Sequence, residues 1–329
     1  MKNILLIHTG GTFGMVPTEP DHSLAPAQVQ DHILNMVPEV NRLAGIDVLT
    51  PFNKDSANVG VKEWDLLSAL IYEHWAHYDG FVVIHGTDTM TYTAAALSFS
   101  LRQLDKPIIM TGSQRPLSLS RSDARLNLID AIELATLDLS EVLIVFNQKI
   151  FRGNRTKKVS IKSYDAFDSP NFAPLGEIGV TIDIDYQRML KNNGPIQLIS
   201  GFNPKLSVIP IHPSLSPEIY SEVLKKDVHV LILLGFGSGN IPFPEPDWIQ
   251  FIKDALARDI SVFIGSQSIK GQVDLSLYEC GQQALKAGAH SLQDVTLEAA
   301  WVKLAKILHF TLDPGEIVRM FYQDWAGEI

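Results

Sequence analysis

Residues 7–14, Ile7-His8-Thr9-Gly10-Gly11-Thr12-Phe13-Gly14, and residues 84–89, Ile84-His85-Gly86-Thr87-Asp88-Thr89, decide the fold. Each stretch closes an apolar run that reads as a buried strand, residues 4–7 and 81–84, and then breaks into glycine and hydroxyl residues. In an open parallel sheet, loops at the carboxyl ends of strands build the ligand crevice. Two threonine-rich loops, one carrying an acid, therefore bring paired hydroxyls and a carboxylate to one pocket. A threonine nucleophile needs little more.

Outward from these stretches, residues 3–7, 46–50, 80–84, 107–111 and 142–146 read as strands. Residues 26–36, 61–74, 91–104 and 122–137 read as helices; over 61–74, Trp64, Leu67, Leu70 and Ile71 share one face. This β-α-β-α order predicts an α/β fold with a larger N-terminal doubly wound (Rossmann-like) domain over 1–190. Residues 151–182 read as loop. The turn clusters Asn192-Asn193-Gly194-Pro195 and Gly201-Phe202-Asn203-Pro204 mark a linker over 191–205. A smaller C-terminal α/β domain follows over 206–329, with strands at 207–211, 228–234 and 261–264. Its helices are expected at 218–224, 248–257, 278–287, 296–308 and 314–322. There is no internal repeat.

At 329 residues with 46% hydrophobic and 19% charged content, the composition is that of an ordinary globular protein. A net charge of −10 disfavours nucleic acid or an anionic membrane as partner. Lone Cys280 excludes an internal disulfide framework and fits a reducing compartment. The apolar run after Lys2 is shorter than a signal h-region, and nothing approaches the ~20 apolar residues of a membrane span. A cytoplasmic location is the expectation.

Gly10-Gly11-Thr12-Phe13-Gly14 is neither a dinucleotide fingerprint nor a phosphate loop. Its glycines serve a tight turn, but that leaves Thr12 unexplained. Asp88 reads either as a cap for the helix beginning near residue 91 or as a grip for an ammonium group. Thr87 is then a candidate nucleophile or proton relay. His8 and His85 follow buried strands and read as satisfied core histidines, not bases. Ten scattered histidines and one cysteine offer no metal-ligand spacing, so no metal is expected. The basic run Arg152-Gly153-Asn154-Arg155-Thr156-Lys157-Lys158 reads mostly as a solvated loop. One of its lysines is expected in the pocket, where burial or a cationic neighbour would let a neutral amine take a threonine proton.

Taken together, residues 9–15 (Thr-Gly-Gly-Thr-Phe-Gly-Met), 85–90 (His-Gly-Thr-Asp-Thr-Met), 111–114 (Thr-Gly-Ser-Gln), 152–156 (Arg-Gly-Asn-Arg-Thr) and 165–171 (Asp-Ala-Phe-x-Ser-Pro-Asn) resemble the bacterial-type L-asparaginases. The resemblance spans essentially the whole chain and is closest to the cytosolic type I branch. It implies hydrolysis of L-asparagine to L-aspartate and ammonia without a cofactor. By position, Thr12 is the nucleophile that forms an acyl-enzyme. Thr87 with Lys158 handles protons and positions water, Asp88 holds the substrate ammonium, and Ser56 binds its carboxylate. Ser113 offers its carbonyl to the leaving ammonia, and Gly11 is a further substrate-binding position. Backbone N–H groups of these loops would form an oxyanion hole. The resemblance also implies a homodimer or homotetramer, with Glu279 a candidate acid lent to a neighbour.

Three departures stand out. The family tyrosine of the loop after the nucleophile is missing: residues 20–24 read Pro20-Asp21-His22-Ser23-Leu24, and no tyrosine precedes Tyr72. His22 is the candidate replacement. Pro17 and Pro20 also alter that loop. An effector site known in some members would need an arginine and a cysteine where Leu234 and Ser268 stand, so none is expected. Two rival readings remain. One is the amidase subunit of a tRNA-dependent amidotransferase, disfavoured because that subunit carries an extra domain before its first strand. The other is a non-catalytic Rossmann-like amino-acid-binding protein.

Overall fold

The computed structural model describes residues 1–17, 24–26, 33–192 and 194–329, and the chain divides into two compact units, Met1–Ser200 and Gly201–Ile329. The first unit carries β1 (Asn3–His8), β2 (Gly45–Leu49), α1 (Val61–His74), β3 (Gly80–Ile84), α2 (Met90–Ser100), β4 (Ile108–Thr111) and α3 (Ala124–Ala135). β5 (Val142–Phe146), β6 (Lys149–Arg152), β7 (Gly176–Ile178) and β8 (Ile182–Ile184) follow. Its eight-stranded sheet runs β2-β1-β3-β4-β5-β6-β7-β8. The first five are parallel neighbours; β6, β7 and β8 join antiparallel.

Successive strand residues face opposite sides, and both sides are covered. Ile4, Leu6, Val82, Ile84, Leu143 and Val145 pack with Leu128, Ala131 and Ile132 of α3. Leu5, Ile7, Phe81, Val83, Ile144 and Phe146 pack with Leu67 and Ile71 of α1 and with Ala94 and Leu97 of α2. Two-sided burial is why these strands are continuous apolar runs. It is the doubly wound arrangement expected from the sequence.

Several expectations are corrected. Residues 151–182 are not wholly loop, since β7 and the start of β8 extend the sheet there. Asn147 and Gln148, at φ 49° and 66°, form the two-residue turn that reverses the chain between β5 and β6. α2 ends at Ser100, not residue 104, because Leu101–Arg102 pair with Gln197–Leu198. Of the helix expected over 26–36, Ile33–Met36 is helical and Pro26 is not, since Leu24–Pro26 pair with Met15–Pro17; residues 27–32 lie outside the described residues.

Asp130, on α3, is 8% exposed, and its Oδ2 has no hydrogen-bond partner among the described residues. Burial, helped by the Glu133 charge, pushes its pKa up to about 6. A carboxyl whose folded pKa is raised costs stability as pH climbs from the unfolded value near 4 to about 6, and that cost persists above. Asp130→Asn should therefore stabilise the protein at pH 7–8 by about 3 kcal/mol and change it by less than about 1 kcal/mol at pH 4. Urea titrations at the two pH values check this.

The second unit contains β9 (Leu206–Pro210), β10 (Val230–Gly235), α4 (Trp248–Leu256), β11 (Ser261–Ser266), α5 (Glu279–Ala287), β12 (His290–Ser291), α6 (Leu297–Phe310) and α7 (Pro314–Phe321). The four strands are parallel in the order β9-β10-β11-β12. Leu231, Leu233, Val262 and Ile264 face Trp248 and Ile252 of α4 and Ala284 of α5. Phe263 points to the other side and meets Phe321 of α7 at 4.7 Å between ring centres. The helix expected over 218–224 is instead two 3-10 turns, Pro217–Tyr220 and Val223–Lys225. Among the described residues no helix is long and apolar enough to cross a membrane.

Candidate active site

β1 and β3 are adjacent, with His8 opposite Ile84. The order β2-β1-β3-β4-β5 puts the topological switch between them, the usual crevice position. The two motif loops therefore leave the sheet side by side. Thr9 ties them, its N–H and hydroxyl both donating to the Ile84 carbonyl at 3.0 and 2.9 Å. A third loop joins through Lys54, whose carbonyl accepts from the Gly11 N–H and whose N–H donates to the Thr9 carbonyl, each at 3.0 Å. That loop carries Ser56 into the same crevice.

The glycines are needed for this approach. Gly11 has φ 80°, and a Cβ there would lie 2.4 Å from Gly86 Cα. A Cβ on Gly86 would lie 2.6 Å from Ser56 Oγ. Backbone thus packs on backbone, and Thr12 opens the single 3-10 turn Thr12–Gly14 just beyond. Gly11→Ala should lower unfolding free energy by about 1–3 kcal/mol. Gly60→Ala, where a Cβ meets nothing within 4 Å, should change it by less than about 0.5 kcal/mol. Urea titration separates the two.

Lys158 enters the pocket from the strand Lys157–Lys158, which pairs with Phe167–Asp168. Its Nζ donates to Thr87 Oγ1 at 2.7 Å and to Asp88 Oδ1 at 2.6 Å. Of the two settings expected for this lysine, burial or a cationic neighbour, the second is not met by these contacts: the charged group beside it is the Asp88 carboxylate. Asp88 is not the cap of α2: that position is Thr89, whose hydroxyl donates to the Ser56 carbonyl at 2.7 Å. A cavity of about 190 Å³ is lined by Gly11, Thr12, Ser56, Thr87, Asp88 and Lys158, with Met15, Asp55, Gly86, Gln114 and Ile161. Of the predicted site residues only Ser113 does not line it. Its hydroxyl is buried and unpartnered among the described residues, one position before Gln114. His22 lies outside the described residues.

Gln114, Asp55, Met15 and Ile161 were given no role by sequence reasoning. The rule that located Thr87 also points to Gln114, which follows the end of β4.

Burial lowers His8 and His85 to pKa values of about 4, leaving both neutral at ordinary pH. The tautomer of His85 follows from its partners. Trp64 Nε1–H can only donate, and it meets Thr93 Oγ1 at 3.0 Å. Thr93 then donates to His85 Nε2 at 2.9 Å, and His85 Nδ1–H donates to the Gly86 carbonyl at 2.8 Å. His85 is a support for the Gly86-Thr87 turn, in keeping with its reading as a satisfied core residue.

The basic run is not a solvated loop. Arg152 and Arg155 are 5% and 3% exposed. Arg152 makes a two-point ion pair with Glu141, at 2.7 and 3.0 Å, and both arginines lie against the Phe172 ring. These contacts brace the segment that delivers Lys158. Among the described residues no group of three or more His, Cys, Asp or Glu could hold a metal ion.

Residues 3–190 match the family model "Asparaginase, N-terminal", and residues 205–321 match "Glutaminase/Asparaginase C-terminal domain". The chain is 36% identical to "L-asparaginase 1" of Escherichia coli (strain K12), covering 100% of this chain and 98% of that protein. It is 32% identical to a glutamyl-tRNA(Gln) amidotransferase chain of Pyrococcus horikoshii, covering 100% of this chain and 77% of the relative. The structure superposes on the thermostable L-asparaginase of Thermococcus kodakarensis with a TM-score of 0.93 at 32% identity, over 99% of each chain.

Proposed function

The chain belongs to the asparaginase family, and on that premise we propose that it hydrolyses the side-chain amide of L-asparagine to L-aspartate and ammonia. One observation carries this reading. Thr12, Ser56, Thr87, Asp88 and Lys158, from four separate segments of the chain, line a single small cavity.

Thr12 Oγ attacks the amide carbon, its proton passes to the amide nitrogen that will leave as ammonia, and backbone N–H groups around Gly11 stabilise the oxyanion. Collapse breaks the C–N bond and releases ammonia past the Ser113 carbonyl, leaving an ester on Thr12. Water, positioned by Thr87 and Lys158, then adds to that ester and frees L-aspartate and the threonine hydroxyl. The Asp88 carboxylate holds the α-ammonium and the Ser56 hydroxyl the α-carboxylate. Both contacts are remote from the bond being cut, so they fix the reacting amide near Thr12. This chemistry calls on no cofactor.

In the same reading residues 1–190 form the catalytic domain, 191–205 a linker and 206–329 a domain that assembles a homodimer or homotetramer. The enzyme is cytoplasmic, which the single cysteine supports. The amidotransferase reading has support from the 32% identity to that relative. One assay addresses both: ammonia release by the purified chain from L-asparagine, L-glutamine and D-asparagine, without tRNA or a partner. Turnover of L-asparagine is expected; none under those conditions, with turnover appearing once tRNA and a partner are supplied, would favour the amidotransferase.

A further inference from the structure

We propose that Gln114 is a positioning residue that ties the 159–166 segment to the Thr87 hydroxyl and sets the direction of its proton. The proposal rests on the amidohydrolase reading of the site.

The orientation of the Gln114 amide follows from its partners. Gln114 Nε2 lies 3.3 Å from the Ser160 carbonyl and 3.1 Å from the Ser163 carbonyl. Carbonyl oxygens only accept, so the NH2 end faces them and Oε1 faces Thr87 Oγ1, 3.2 Å away. The Thr87 hydroxyl then sits between an obligate donor, the Lys158 ammonium at 2.7 Å, and an obligate acceptor, Gln114 Oε1. Its one proton points at Gln114. Passing that proton to Lys158 or to water requires it to swing away first.

The other end of the amide holds the turn that follows Lys158. Ser160 Oγ accepts from the N–H groups of Lys162 and Ser163 at 3.2 and 3.0 Å, and Val159 N–H donates to the Ala166 carbonyl at 2.8 Å. Ile161, at the tip, lines the cavity although it is 83% exposed. Gln114 is itself anchored through its backbone, whose N–H donates to Asp123 Oδ2 at 2.9 Å. Side-chain substitution therefore leaves the anchor in place. Among the described residues, the other charged groups lining the cavity are Asp55 and Asp88.

Two variants test the inference. Gln114→Met keeps the length and removes every side-chain hydrogen bond. It should lower kcat for L-asparagine by about 10-fold, with KM changing far less, and speed trypsin cleavage after exposed Lys162 by about 10-fold. Gln114→Glu keeps an acceptor for Thr87 but loses the N–H groups that hold the Ser160 and Ser163 carbonyls. It should therefore speed cleavage after Lys162 as Gln114→Met does while keeping kcat within about 3-fold of the parent, a split that a merely structural role does not give. A kcat loss in Gln114→Glu as large as in Gln114→Met, or parent-like cleavage in Gln114→Met, overturns the proposal. A parent inactive on L-asparagine removes the amidohydrolase reading instead, and the cleavage rates still decide whether Gln114 holds the turn.

Discussion

Thr12→Ala is expected to reduce kcat for ammonia release from L-asparagine by about 10,000-fold or more. The change removes the side-chain methyl and the hydroxyl oxygen, and that oxygen is the only atom that forms a covalent bond to substrate in the proposed cycle. The side chains assigned to hold the α-carboxylate and α-ammonium are elsewhere: Ser56 on the loop after β2, Asp88 on the loop after β3. L-aspartate affinity measured by calorimetry should therefore stay within a few-fold of the parent. The Lys158 contacts to Thr87 and Asp88 do not involve Thr12 and should persist. Thr12→Ser keeps a hydroxyl on the same turn and should retain far more activity than alanine. If Thr12→Ala keeps a tenth or more of the parent kcat, the nucleophile lies elsewhere, and Thr87 is the next hydroxyl to test.

Four of the five parallel strands, β1, β3, β4 and β5, were legible because both of their faces are buried, which forces unbroken apolar runs such as Phe81-Val82-Val83-Ile84; the edge strand β2, with Asp47 exposed, is the exception. The site was legible for a related reason. Thr12, Thr87 and Asp88 follow those runs, where strand order rather than sequence distance brings Thr12 and Thr87 together, whereas Ser56 and Lys158 were reached only through the family resemblance. β7 and β8 were missed because strands of three residues, with Glu177 and Asp183 at their centres, carry no periodic signal. The buried arginines were missed for lack of a local cue. Arg152 stands among like charges in sequence, and only the pairing of β5 with β6 brings it to Glu141, just before β5. Gln114 shows the same limit at the site itself. It stood in a quoted motif, but its acceptors at Ser160 and Ser163 lie more than forty residues away and are met only in the fold.

Glu328→Ala is expected to lower the stability of the second unit by about 3–5 kcal/mol. Lys303, on α6, and Glu328, next to the last residue, are both fully buried and form an ion pair. The ammonium also donates to the Phe321 and Gln323 carbonyls at 2.7 and 2.6 Å, and lies over the Phe321 and Trp325 rings. The carboxylate accepts from the Trp325 N–H at 3.1 Å and the Ala326 N–H at 2.7 Å, so it folds the last residues into a closed turn. Removing Glu328 takes the carboxylate away from an ammonium buried where water does not reach, and also frees that turn. Hydrogen exchange of the α6 amides at increasing urea reads the loss in this unit alone. Lys303→Met with Glu328→Leu removes both charges together and should recover most of it, because a buried pair returns little beyond the desolvation of its members. A double variant as unstable as Glu328→Ala would show instead that the hydrogen bonds to the Phe321, Gln323, Trp325 and Ala326 backbone, rather than the loss of the Glu328 charge beside Lys303, carry the energy.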